Sequence, residues 1–165
     1  MSDSGKRGVT TRLTDAEEAD FEAIAGKLLR DPQVRQMCDY VQHGTITTYD
    51  HCVDVARCAF KLARRLHVRV DEEALVTAGL LHDYYLYDWH VHGDKLHGSH
   101  HPHIAAENAQ RDFAISDKAA GAIRSHMWPL TLTYVPHSRE AWLVTLADKI
   151  CSSRETLFER HARRQ

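Results

Sequence analysis

The sequence predicts an all-α domain, and three observations carry that reading. Apolar residues recur at three- and four-residue intervals through most of the chain, no stretch alternates as a half-buried strand would, and no glycine-rich turn follows an extended segment. A length of 165 residues suits one domain with a sizeable core and leaves no room for a separate binding module.

The elements follow in order. Residues 1–12 are polar and without period, which reads as a flexible N-terminus ahead of a single helical domain over 13–165. Thr14 can cap DAEEADFEAIAGKLLR, whose first turn is acidic as the helix dipole favours. Asp31 and Pro32 restart the chain as a short helix, PQVRQMCDYVQ, ended by His43 and Gly44. A strongly amphipathic helix runs from Thr48 to Leu66 and another from Asp71 to about Tyr84, followed by a histidine-rich loop to about His100. Helices from Pro102 to Phe113, from Ser116 to Met127 and from about Ser138 onward complete a set of six or seven. Pro129 and Pro136 bracket the loop between the last two.

Composition excludes several function classes. With 21 lysines and arginines against 23 aspartates and glutamates, no net field attracts nucleic acid or an anionic membrane. No apolar run approaches the roughly 20 residues that span a bilayer, and the N-terminus lacks an apolar signal core, so a cytoplasmic protein is expected. The four cysteines form no CxxC pair, which points to reduced thiols and no zinc finger. The unusual count is 13 histidines, seven of them between positions 82 and 103. Histidine is the commonest metal ligand and titrates nearest neutrality, so metal or acid–base chemistry is indicated.

Some of these polar residues fall on apolar faces. Val55, Cys58, Leu62 and Leu66 follow His51 by four, seven, eleven and fifteen positions, so His51 begins a buried stripe. His82 and Asp83 sit at the inward edge of the next helix, His101 opens the one that buries Ile104, Ala105 and Asn108, and His126 and Asp148 follow apolar residues at helical offsets. A lone core histidine is more often hydrogen-bonded to a backbone carbonyl than a ligand. Five helices each burying such a group, at about 1–3 kcal/mol for each one left without a partner, are better explained by inward ends that converge on a cation. Four histidines and two aspartates suit iron, manganese, zinc, nickel or cobalt, and six candidate ligands suggest two ions bridged by Asp83.

His51, then His82-Asp83, then Asp148 resembles the H…HD…D signature of the HD superfamily of metal-dependent phosphohydrolases, and His101 and His126 match the extra histidines of its dinuclear members. The resemblance covers roughly residues 40 to 155. It implies an all-α HD-domain bundle in which His51, His82, Asp83 and Asp148 hold one metal, Asp83, His101 and His126 a second, and a bridging water attacks phosphorus. After Asp83 the chain reads YYLYDWH. It lacks the glycine, lysine and GYP triplet of the cyclic-dinucleotide branch, and it has Leu86 and Tyr87 where the guanosine tetraphosphate hydrolases carry a Glu-Asp pair.

The expected activity is therefore hydrolysis of a phosphate ester of a small metabolite or nucleotide, dependent on one or two divalent transition metals. Asp83 would hold the nucleophile, Lys149 would neutralise a phosphate oxygen, and His97 or His90 would protonate the leaving group. Arg124 points elsewhere on an ideal helix, and most of the nearby aromatics are expected in the core. Two other classes fit the same ligands: an HD-fold di-iron oxygenase, and a non-catalytic metal-dependent sensor or interaction domain. The long C-terminal helix leaves room for a homodimer.

Overall fold

A computed structural model describes residues 13–88 and 97–162, with the side chains of these except 43, 97, 98 and 158–162. The expected flexible segment 1–12, Trp89 and the loop histidines His90 and His92 lie outside the described residues, as does the side chain of His97. Within them the chain forms seven α-helices: α1 (Asp15–Leu29), α2 (Pro32–Arg35), α3 (Thr48–Arg65), α4 (Glu72–Leu81), α5 (His97–Phe113), α6 (Asp117–Ser125) and α7 (Arg139–Ala162). The all-α expectation is met.

The helix starts follow local chemistry. The Thr14 hydroxyl accepts from the Glu17 amide, and the Glu17 carboxylate accepts from the Thr14 amide in return, closing a capping box on α1. Thr47, Asp71 and Ser116 cap α3, α4 and α6 through the same kind of side-chain acceptor. At the centre α3 packs on both α4 and α7. The first of these contacts is close because Gly79 has no side chain: a Cβ there would lie 2.7 Å from the Ala56 Cα. Phe21 of α1 meets Phe60 of α3 edge to face at 5.8 Å, closing the core on the far side.

Three expectations about local structure are corrected. The helix expected over PQVRQMCDYVQ stops at Arg35, continues as a 3-10 turn (Gln36–Asp39), and gives way to a short hairpin of β1 (Val41–His43) and β2 (Ile46–Thr47). Tyr40 leaves helical space at φ −113° and ψ 131°, Gly44 supplies the positive φ of 56° that the reversal needs, and the β-favouring residues at 40 and 41 then pair locally. Second, α5 starts at His97 and runs through Pro102, which lacks the amide that would bond the carbonyl four residues back. His101 therefore lies in the second turn of this helix.

Third, α4 ends at Leu81 and α6 at Ser125, so His82 and His126 are the residues that cap those helices at their C-termini. Asp83 lies in the turn that follows, before Leu86 reverses the chain at φ 58°. A bulky residue in that left-handed region costs roughly 1 kcal/mol or more, and the turn is held by the packing around it.

Candidate metal centre

His51 sits in the first turn of α3, where the amphipathic stripe turns it fully inward at 0% exposure. Its Nδ1 faces both carboxylate oxygens of Glu155 on α7, at 2.9 and 3.0 Å. Nδ1–H donates there, and Nε2 lies 3.3 Å from the Asp148 Oδ1, so this ring stands between two carboxylates and in the metal-free chain holds a second proton that a bound metal would displace.

His82 and His126 are fixed differently, and alike. Each donates Nδ1–H to the carbonyl three residues back in its own last helical turn: His82 to Gly79 O and His126 to Ile123 O, both at 2.8 Å. The last carbonyls of a helix lack the regular amide four residues on, so an imidazole at the cap position can bond one and is oriented by it, even where, as at Ile123 O, the His126 amide also bonds it at 3.4 Å. The Nε2 atoms of both rings then turn into the same space. His82 Nε2 is 3.6 Å from Asp83 Oδ2 and 3.8 Å from Asp148 Oδ1, and it has no hydrogen-bond partner.

Asp83 faces both ways. Its Oδ1 lies 3.1 Å from His101 Nε2 and 3.5 Å from His126 Nε2, while its Oδ2 accepts a 2.6 Å hydrogen bond from Gln42 Nε2. Gln42 is delivered by the hairpin and is itself held by the hydroxyls of Tyr85 and Thr48, at 2.8 and 3.2 Å. Asp148 receives Ser152 Oγ at 3.1 Å and Lys149 Nζ at 2.8 Å.

All six residues singled out on apolar faces are thus buried and brought together. Two sets, His51–His82–Asp83 and Asp83–His101–His126, each offer ligand atoms within 4.8 Å of one another, and Asp83 belongs to both. Lys149 lies at the edge, its side chain 40% exposed and also donating to His126 O at 3.1 Å. Arg124 turns away and donates to Gln110 at 2.6 Å. Tyr84 and Tyr85 are buried among core residues, and Trp128 stacks edge to face on Trp142 at 4.9 Å.

The chemistry of the donor set fits a divalent transition metal. Nε2 lone pairs and carboxylate oxygens meet in a closed space, and the His101 and His126 Nε2 atoms stand only 3.0 Å apart. Two neutral imidazoles that close gain nothing without a proton or cation between them. Burial works against ionisation of Asp83 and Asp148, yet the surrounding histidines hold both carboxyls below the usual carboxylate range. Burial, reinforced by the neighbouring His82 and His101, presses the His126 pKa down to about 3, so this imidazole stays neutral. Ionised carboxylates and neutral imidazoles are the forms that bind metal, and His51, which the Asp148 and Glu155 carboxylates hold protonated in the metal-free chain, gives up a proton to join them. The negative ends of the α4 and α6 dipoles also favour a cation here.

Two supporting residues escaped the sequence reading. Glu155 continues the inward stripe of α7 seven residues after Asp148, a signal that was available; Gln42 carried none, because its hairpin was read as helix.

The HD domain family model matches residues 48–152, well over half of the chain and all six clustered residues, and the chain belongs to that family. No curated protein and no solved structure matches it. No helix of the described residues is long and apolar enough to cross a membrane.

Proposed function

We propose that this protein is a divalent-metal phosphohydrolase acting on a small phosphorylated metabolite or nucleotide. The observation that carries the reading is the pair of three-residue ligand sets sharing the buried carboxylate of Asp83. In this reading His51, His82, Asp83 and Asp148 hold one ion, and Asp83, His101 and His126 hold the other. Divalent ions so placed lower the pKa of a coordinated water toward about 7 and clamp the oxygens of a phosphoester during in-line displacement.

The chain's own residues do the rest. Asp83 keeps the two positions adjacent, with Gln42 fixing the orientation of its carboxylate. Lys149 sits beside Asp148 with a part-exposed side chain, so its ammonium can swing to a phosphate oxygen once an ion at Asp148 balances that buried carboxylate. His97, at the start of α5, is the candidate acid for the leaving group.

The test starts from untagged protein purified without chelator, with metal content measured per chain. The protein is then reconstituted with manganese, cobalt, nickel, zinc or iron and assayed on p-nitrophenyl phosphate, bis(p-nitrophenyl) phosphate and a nucleotide panel, with oxygen uptake followed in parallel. Two ions per chain and chelator-sensitive ester hydrolysis are expected. Lys149→Ala should keep both ions and lose about tenfold in kcat/KM, the effect of about 1.4 kcal/mol of lost transition-state binding. Oxygen consumption by the iron form without ester hydrolysis would replace this reading with an oxygenase. A metal-loaded protein inert in every assay would leave a sensor or interaction domain.

A further inference from the structure

Resting on the reading of this cluster as a metal centre, we infer that Glu155 is a positioning residue that makes the His51 half of the centre the position filled first. Glu155 is 3% exposed, and its carboxylate reaches His51 Nδ1 with both oxygens, at 2.9 and 3.0 Å, across the packed faces of α7 and α3.

Two consequences follow from that geometry. The hydrogen bond fixes the ring orientation of His51 and keeps a proton on Nδ1, so that Nε2 is the ring atom directed at the space shared with Asp148 and His82. The charge of Glu155 also lies directly behind a ligand nitrogen, where it raises the basicity of that nitrogen and adds to the field of Asp83 and Asp148. His82 and His126 lean on the neutral carbonyls of Gly79 and Ile123. In this reading the His51 half gathers Asp83, the supporting Glu155, and Asp148, whose Oδ1 lies 3.3 Å from His51 Nε2 and whose charge Lys149 offsets in part, whereas the His101–His126 half draws on the shared Asp83 alone. A first cation entering the empty protein is attracted more strongly to the former, and once there it takes up part of the Asp83 charge that the second would use.

The experiment is titration of metal-free protein with Co2+, followed by calorimetry and by the visible absorption of the bound ion. The wild type should bind in two steps of unequal affinity. Glu155→Ala should weaken the tighter step by roughly 10–100-fold, the usual scale for a lost partner behind a ligand histidine, and change its absorption spectrum, while the weaker step moves little. Glu155→Gln keeps an acceptor for Nδ1–H without the charge and should fall between the two. Its helicity by circular dichroism guards against mistaking misfolding for lost affinity. If both variants retain the wild-type tight step and spectrum, or if only the weaker step suffers, the inference is overturned while the metal centre stands. If the wild type binds no Co2+ at all, the metal-centre reading fails first.

Discussion

His51 is fixed from behind by a carboxylate brought from another helix, whereas His82 and His126 are fixed by carbonyls of their own helices. The difference follows from where each histidine falls. A histidine inside a helix finds the nearby carbonyls already bonded to amides, so the back of its ring needs an acceptor from elsewhere in the fold. A histidine at a helix C-cap has within reach of its own ring the carbonyls of the last turn, which lack the regular amide four residues on. His51 is therefore supported by tertiary structure and charge, whereas His82, its neighbour in the same ligand set, and His126, in the other, draw on local backbone.

The two ligand sets meet at Asp83. Asp83→Asn removes the one carboxylate common to both halves, and metal analysis should fall from two ions per chain to none, with ester hydrolysis abolished. Retention of either ion would show that the halves are independent. His126→Ala reaches the second half only, and one ion per chain should remain. An ion at a hundred times its dissociation constant stabilises the fold by about 2.7 kcal/mol, so the lost ion should also lower the Tm measured with excess metal.

Gly79→Ala attacks the first half through packing. The added methyl would lie 2.7 Å from the Ala56 Cα, so α3 and α4 must move apart, at roughly 1–3 kcal/mol in stability. That displacement separates His51 from His82, whose ring centroids are 5.2 Å apart, and the tighter Co2+ step should weaken more than the other. Equal weakening of both steps would argue against separate supports.

The stability of the metal-free chain against pH separates His51 from His126, which titrate in opposite senses. Burial opposes charge on His51, yet its hydrogen bonds with Asp148 and Glu155 override it and raise the pKa from 6.5 to about 10. Between those values the folded chain holds a proton that the unfolded chain has released, so stability falls as pH rises. His126 is pushed by burial from 6.5 to about 3, so between these values the unfolded chain binds a proton that the folded one refuses, and stability falls as pH drops. The depressed Asp83 and Asp148 carboxyls add to the loss on the acid side. Thermal melts across pH should peak near 6.5. Glu155→Ala should flatten the alkaline arm and His126→Ala the acid arm.

Much of this was legible along the chain. The helical period placed His51, His82, Asp83, His101, His126 and Asp148 on inward faces, because burial imposes that period directly on sequence. The expectation that a core histidine bonds a carbonyl and the expectation that it faces a metal were set against each other, yet the two nitrogens of one ring, in His82 and His126, allow both. The hairpin at 41–47 was not legible: a three-residue strand has too few positions to show an alternation, and its pairing depends on the turn at Gly44.

Helical class, inward faces and the identity of the converging groups can be read along the chain, since side-chain chemistry and period are properties of short stretches. What stands behind each group is set by how distant segments pack. Glu155 meets His51 across 104 positions, and Gln42 meets Asp83 across 41, contacts that local propensity does not encode and that come from the packing of α7 on α3 and of the hairpin on the turn after α4.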